Sequence, residues 1–401
     1  MSVLFQQTNI KGMELKNRLV RSATVEGMAD PEGAPTQDLF RLYERLARGD
    51  VGLIITGAAY VSKDSKLPFY GMAAIRDNNI QRYRELVEHV HAHGARIAMQ
   101  IAHAGRQTTR EAAGTQPIAP SAVEEKVLFV KPRAMTEDDI ERVIEDFSVS
   151  ARRVKEAGFD AVQIHAAHGY LINQFLCPHT NRRTDSWGGS LENRMRFVRA
   201  IYERCRKEVG EDFPILIKIN GNDNMKNGLK TEESALMAEM MSDMGFDGIE
   251  VSCGIGEDGL SQLRGEVPME AMLKEWPMYR NKNYLFRLFM KHFGRKMMNT
   301  PPLVEAYNRD AARLIKSKVK VPVFLVGGIT DPAAMEDIVK NGEADYISLC
   351  RSLIADPGFV EQIKGGSKER SRCIHCNLCL AYMVSYSLKC YNGKMPDNGG
   401  K

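Results

Sequence analysis

The sequence predicts an α/β protein built as a (β/α)8 TIM barrel, with long insertions after the third and sixth strands and a short Cys-rich C-terminal extension. Three observations carry that expectation. Short β-branched or apolar runs alternate with amphipathic helical stretches from one end of the chain to the other. The runs number eight, as a closed parallel barrel needs, and 401 residues is a length that suits one such barrel with appendages. Residues 1–365 are expected to form the barrel and residues 366–401 a separate cysteine-bearing segment.

The predicted strands are Leu19 to Ala23, Gly52 to Ala59, Arg96 to Ala102, Ala161 to Ala166, Ile215 to Ile219, Gly248 to Ser252, Val323 to Val326 and Tyr346 to Leu349. Between them the 3.6-residue spacing predicts helices over Thr36 to Arg48, Asn78 to His93, Thr136 to Ala157, Glu192 to Val209, Thr231 to Met244, Pro302 to Ser317 and Asp331 to Asn341. Several open on a Thr or Asp cap, and several end at a glycine such as Gly49, Gly158 or Gly245.

Composition excludes several classes. Lys and Arg number 55 against 51 Asp and Glu, and the basic residues are spread along the chain, so the clustered basic face of a nucleic-acid binder is not implied. No run approaches the ~18 apolar residues of a membrane span, and the N-terminal stretch lacks the apolar core of a signal peptide. A cytoplasmic protein is expected, in which eight cysteines are free thiols or metal ligands rather than disulfides.

Two connections are too long for plain loops, His103 to Met135 and Cys253 to Thr300. Each comes directly after a strand, so each overhangs the end of the barrel where active sites are built. The second holds NYLFRLFMKHFGRKMM, Asn283 to Met298, read as a lid helix packing its aromatic side on the barrel, with a membrane-surface or partner-docking role as the alternative. It opens with Gly254, Gly256 and Gly259, a G-x-G-x-x-G spacing. A dinucleotide fingerprint must open a helix, and Gly265 and Pro268 would interrupt any helix begun there, so a flexible loop is expected.

The chemistry concentrates where strands end. His165, His168 and Tyr170 lie at and just beyond the end of the fourth strand. The two histidines suit hydrogen bonding to a substrate oxygen, and a phenol can deliver a proton; metal binding with His179 is the rival, though no acidic or thiol ligand lies at suitable local spacing. Val326-Gly327-Gly328 ahead of the helix at Asp331, with Arg351 after the eighth strand, forms a phosphate site of the kind barrels place there, or else merely a tight turn and a surface cation. Cys373, Cys376, Cys379 and Cys390 spell C-x2-C-x2-C-x10-C, which suits a [4Fe-4S] cluster, with structural zinc as the rival.

The stretch from His165-Ala166-Ala167-His168-Gly169-Tyr170-Leu171 through Gln174-Phe175-Leu176, Asn181-Arg182-Arg183-Thr184-Asp185 and Gly188-Gly189-Ser190-Leu191-Glu192-Asn193-Arg194 resembles the Old Yellow Enzyme family of FMN oxidoreductases. The cysteine run is similar to that of the branch containing trimethylamine dehydrogenase, 2,4-dienoyl-CoA reductase and 2-enoate reductases. The resemblance implies FMN held by Ser22, Ala23, Thr24, Ala58, Gln100, Lys218, Gly327, Gly328, Cys350 and Arg351, with His165, His168 and Tyr170 as catalytic residues. Lys218 stands where an arginine is usual, Ala23 where many members have proline, and Val25 where Thr or Cys often tunes the flavin.

The implied activity is ene-reduction of an activated C=C bond in a small unsaturated substrate, an enone, enoate or enoyl thioester. Oxidative C–N cleavage is the alternative, and a non-enzymatic scaffold with a zinc-bound tail a further one. Those multidomain relatives continue into a second flavin and nucleotide domain, which this sequence does not reach. Electrons are then expected from NAD(P)H or from a separate electron-transfer protein, and a homo-oligomer is compatible with everything above.

Overall fold

The structure, a computed structural model, describes residues 2–67, 71–74, 77–298, 300–367 and 369–393. Of the predicted C-terminal segment, residues 368 and 394–401 lie outside the described residues. Eight parallel strands succeed one another round a ring: β1 (Leu19–Arg21), β2 (Leu53–Ile55), β3 (Arg96–Ala102), β4 (Ala161–Ala166), β5 (Ile215–Asn220), β6 (Gly248–Ser252), β7 (Val323–Val326) and β8 (Tyr346–Leu349). β8 pairs with β1, and β2 with β3, so no barrel edge is left open. The predicted (β/α)8 barrel is the observed fold.

Because side chains alternate along a strand, every second residue of each strand points inward. At the N-terminal end those residues are apolar: Val20, Leu53, Ala98, Ala161, Leu216, Phe324 and Tyr346 form one dry layer. An antiparallel hairpin, Thr8–Ile10 with Met13–Leu15, closes that end by adding Ile10, Met13 and Leu15 to the layer. Each such side chain contributes about 1.5–3 kcal/mol on burial. One step higher the inward residues turn polar, with Ser22, Gln100, Gln163, Lys218, Glu250 and Ser348, all buried. The barrel is therefore sealed below and functional above.

The predicted helices are present as Gln37–Arg48, Ile80–His91, Glu137–Glu156, Leu191–Val209, Thr231–Met244 and Pro332–Lys340, several held by the caps read from sequence. Thr136 and Asp139 make a reciprocal capping box, and Ser190 and Asp331 each accept a backbone N–H of the first turn.

Four expectations need correction. The helix expected from Pro302 begins only at Arg309 and runs to Lys316. Ahead of it, Ala306 adopts a left-handed φ of 51°, the Tyr307 N–H donates to the Gly327 carbonyl at 3.1 Å, and Glu305 accepts from the Thr330 and Asp331 amides, so residues 302–308 strap the end of β7 instead. The second strand is broken after Ile55 and resumes as Ala59–Tyr60, because the Gly57 N–H turns aside to the Glu26 carboxylate at 2.9 Å. The glycine loop after β6 is tied rather than loose: the Asp258 carboxylate accepts from the Ser261 amide at 3.1 Å, the Ser261 hydroxyl at 2.7 Å and the Asn224 amide at 3.0 Å.

The second insertion continues into helices Met269–Glu275, Pro277–Arg280 and Tyr284–Met298. Met269, Met272, Trp276 and Tyr279 form a small core with Tyr382 and Tyr391 of the C-terminal segment. The last helix does not lay its aromatic side on the barrel as expected, since Tyr284, Leu285, Phe289 and Phe293 remain exposed. Among the described residues no helix is long and apolar enough to cross a membrane.

Candidate active site

Polar side chains of four adjacent strands and of the turn after β1 form one chain across the floor of a cleft at the C-terminal end of the barrel. Gln100 Nε2 donates to Gln163 Oε1 at 2.7 Å, Gln163 Nε2 donates to Glu250 Oε2 at 2.9 Å, Lys218 Nζ lies 3.3 Å from the same oxygen, and Lys218 donates to Ser22 Oγ at 2.8 Å. The order of this chain is dictated by one residue. A carboxylate only accepts, so Glu250 fixes which way the Gln163 amide faces, and Gln163 in turn fixes Gln100. Gln100 thereby commits one amide N–H inside the protein, and its carbonyl oxygen accepts no hydrogen bond from the described residues.

One wall is the β4 end. His165 is the last inward residue of the strand, and the chain then turns through His168 at φ 61° and Gly169 at φ 77°. A Cβ at Gly169 would meet Gln107 Nε2 at 2.9 Å as well as requiring a left-handed backbone, so glycine is needed twice over. The turn is pinned from both sides: the His168 N–H donates to Asn220 Oδ1 at 3.0 Å and its carbonyl accepts from Gln107 Nε2 at 2.6 Å. His165 lies 5.1 Å from His168 and 4.8 Å from Tyr170 between ring centroids, all three lining the cleft.

Burial, together with the charges of His168 and Lys218, holds the His165 imidazole well below its usual pKa, and burial with Lys218 does the same for His168. Both rings are therefore neutral donors at neutral pH. The Ala167 N–H approaches His165 Nδ1 at 3.4 Å, which leaves the proton on Nε2, and the Ser252 hydroxyl lies 2.7 Å from His168 Nε2. Burial pushes the Tyr170 phenol up to about 12.

The opposite end of the cleft is built on Gly327 and Gly328, with φ of 149° and 68°. A Cβ on either would lie 2.9 Å from the Tyr307 ring. Arg351, which opens the short helix after β8, is buried and donates from Nη1 to the Arg264 carbonyl and to Asn377 Oδ1, both at 2.7 Å. Asn377 in turn donates to the carbonyls of Leu263 at 2.7 Å and Glu266 at 2.9 Å. The cysteine-rich segment is thus clamped onto the cleft and lends it His375, Leu380 and Met383 as wall.

The cleft brings together Ser22, Ala23, Thr24, Ala58, Gln100, His165, His168, Tyr170, Lys218, Gly327, Gly328, Cys350 and Arg351, every flavin and catalytic position expected from the sequence. The donor set suits FMN: glycine backbone and a buried arginine at one end, an acceptor and a buried cation on the floor. Ser348 Oγ, buried in the same wall, has no hydrogen-bond partner among the described residues. Not expected from the sequence were Gln163, Glu250, Ser252, Tyr307 and the contribution of the C-terminal segment. The signal for Gln163 and Glu250 was present, since a polar residue at an inward position of a buried strand has to face another polar group.

The four C-terminal cysteines are not gathered in the same way. Burial raises the Cys373 thiol, with Cys350 and Cys390 near enough to add to the shift, and burial with Cys350 pushes Cys379 up to about 12. All four thiols are partly buried, yet among the described residues no three His, Cys, Asp or Glu side chains stand close enough to hold a metal ion. The donor set has the chemistry of a cluster site without its assembled geometry. His165, His168 and His179 do not assemble a metal site either, since His179 faces Glu257 at 3.3 Å instead and no such group is found among the described residues.

A family model described as "NADH:flavin oxidoreductase / NADH oxidase family" matches residues 3–254 and 269–370. The chain belongs to this family. This is the Old Yellow Enzyme family, whose named members are NADH and NADPH oxidoreductases, and membership in it sets aside the non-enzymatic scaffold. An NADH oxidase of Thermoanaerobacter brockii is 35% identical over 390 residues, 96% of this chain and 54% of that protein. An NADPH dehydrogenase of Geobacillus sp. (strain WCH70) is 35% identical over 357 residues, 89% of this chain and 92% of that one. A solved structure of 2-naphthoyl-CoA reductase with 2-naphthoyl-CoA superposes with a TM-score of 0.81 at 26% identity, covering 95% of this chain and 55% of its own. The chain therefore spans about half the length of two of these family members.

Proposed function

We propose that the protein is an ene-reductase acting on an activated C=C bond of an enone, enoate or enoyl thioester. When bound in the cleft, FMN would supply the hydride. Gly327, Gly328 and Arg351 would hold its phosphate, Gln100 Oε1 would accept from its pyrimidine edge, and Lys218 would place a positive charge beside that edge. His165 from Nε2 and His168 from Nδ1 would hydrogen-bond the activating oxygen of the substrate, stabilising the negative charge that collects there as the double bond is reduced. Neutral rings serve this purpose, because they retain an N–H to donate. Tyr170 would protonate the α-carbon, its phenol remaining fully protonated at neutral pH.

The observation that carries this reading is the convergence of His165, His168 and Tyr170 with Lys218 and Gln100 in one cleft. In the same reading, residues 366–401 form a cluster-bearing extension of a barrel comprising residues 1–365. Cys373, Cys376, Cys379 and Cys390 take a [4Fe-4S] cluster in preference to zinc, and electrons enter from NAD(P)H or a separate electron-transfer protein. Iron and zinc analysis of protein purified without oxygen decides the metal: about four irons per chain supports the cluster, and zinc without iron reverses it.

The test of the reaction is a screen of the photoreduced, FMN-loaded protein against enones, enoates, enoyl thioesters and methylated amines. Rapid reoxidation by an unsaturated carbonyl compound is expected. Reduction of the oxidised protein by methylated amines, with no response to any C=C substrate, would replace ene-reduction by C–N cleavage.

A further inference from the structure

The helix Tyr284–Met298 takes no part in the cleft, and its surface composition is not explained by the chemistry above. Its orientation is fixed by Gly294, its one buried residue among those described, which seats against helix Met269–Glu275 so tightly that a Cβ would lie 2.7 Å from Met269 Cε and 3.0 Å from Met290 Cε. Phe286, Met290 and Met298 pack on the small core beneath. What this seating leaves outside is apolar. Tyr284 and Leu285 are 75% exposed, Met297 61% and Phe293 54%, with Leu288 and Phe289 also exposed. At helical spacing these residues form a continuous stripe along the outer side.

The stripe is interleaved with cations. Between Glu275 and Glu305 the sequence has no acidic residue, and it has six basic ones, Arg280, Lys282, Arg287, Lys291, Arg295 and Lys296. Lys291 pairs with Glu270 and Arg295 with Glu266, whereas Arg287 and Lys296 make no ion pair among the described residues. Lys282 lies over the ring of exposed Phe129, which extends the patch onto the tip of the first insertion. Along the flank of the helix, His292, Arg295 and Lys296 line a groove together with Glu266, the partner of Arg295, and its other side is Pro301, Pro302, Leu303 and Ile374.

We propose that this face docks on an anionic phospholipid bilayer. Exposed aromatic and leucine side chains, a basic flank and a helix lying flat on a folded body are what the interface of an acidic membrane accepts, the rings entering the acyl boundary and the cations meeting phosphate. A second copy of the chain fits poorly, because a symmetric pairing of this face would bring two such basic surfaces together. In the groove, Lys296, which makes no ion pair among the described residues, offers one lipid headgroup a cation with an apolar wall behind it.

The test is cosedimentation of the full chain, FMN-loaded, with vesicles of 70% phosphatidylcholine and 30% phosphatidylglycerol, beside vesicles of phosphatidylcholine alone. Binding to the anionic vesicles is expected to exceed binding to the neutral ones at least tenfold and to fall as salt rises. The Phe289→Ser/Phe293→Ser variant should lose at least tenfold and Lys296→Glu several-fold, with thermal unfolding and FMN content unchanged, since these side chains are exposed and outside the cleft. No binding to anionic vesicles, or equal binding by the Phe289→Ser/Phe293→Ser variant, overturns the proposal. So does a dimer in sedimentation that this variant dissociates, which would assign the face to a second copy.

Discussion

The floor of the cleft and the cysteine segment above it are both built from buried polar groups, yet they are organised on opposite principles. On the floor, residues from β3, β4, β5 and β6 meet because strand register sets Gln100 beside Gln163 and Lys218 beside Glu250, the second pair one inward step further along than the first, and each is hydrogen-bonded or ion-paired before any ligand arrives. In the segment, the backbone is clamped through Asn377 while the four thiols stay short of a closed ligand set. A sheet preorganises its inward residues through backbone hydrogen bonds alone. A loop of thiols needs the metal itself to draw them together, which is why metal binding and folding are coupled in such sites. The floor should therefore resist loss of the tail chemistry, and the tail should depend on what it binds.

Removing the two imidazoles tests the floor and wall most severely. The His165→Ala/His168→Ala variant should keep FMN and lose at least about 10²–10³-fold in reoxidation by an enone, the scale set by a lost oxyanion donor; stopped-flow absorbance of the flavin measures it. Glu250→Gln comes next. It removes the negative charge facing buried Lys218 and replaces an acceptor-only group by an amide that can also donate, so Gln163 and Gln100 lose their fixed orientation; unfolding stability should fall by about 3–5 kcal/mol and FMN binding should weaken. Urea unfolding and flavin titration read the two effects, and an unchanged midpoint with unchanged affinity would dissolve the idea of an ordered floor.

Cys379→Ser sharpens the contrast from the other side. Iron content should fall to background while FMN occupancy and the reaction with NAD(P)H and an enone persist; loss of FMN along with iron would mean that the two regions are one cooperative site.

The smallest expected effect is on pH. Burial depresses His165 and His168 strongly and takes His103 down to about 4. These rings are neutral in the folded state and titrate near 6.5 when unfolded. The unfolded chain therefore binds more protons below about pH 6.5, and stability falls as the solution is acidified. For His103 the loss runs from about pH 6.5 down to about 4, at up to about 1.4 kcal/mol per unit. Denaturant midpoints that stay level from about pH 7 to about pH 5 would show that these rings are not held neutral.

The barrel was legible because its strands are short apolar runs with regular spacing, and the active-site wall because His165, His168 and Tyr170 fall where a strand ends. The later part of the same motif proved to be scaffold: Asn181 donates to the Phe175 and Trp187 carbonyls, and Arg183 braces Asp185 and the Pro120 and Met135 carbonyls. The helix start at Arg309 was not legible, since Pro302 marks a favourable first-turn residue while the strap over β7 depends on Tyr307 meeting Gly327, a contact between two separate segments of the chain. The outward turn of helix Tyr284–Met298 was hidden for a similar reason. Periodicity gives a helix its stripes, but only the seat at Gly294 decides which stripe faces in.

Tyr170 is the keystone of the proposed chemistry, as the proton source above a flavin whose substrate has its activating oxygen held by the two histidines. The most direct measurement compares Tyr170→Phe with the unaltered protein in both half-reactions by stopped flow. Reduction by NAD(P)H should proceed at an unaltered rate while reoxidation by an enone slows by about 10²–10⁴-fold, the range for a lost general acid. Equal rates in the enone half-reaction, or equal slowing of both halves, would contradict it.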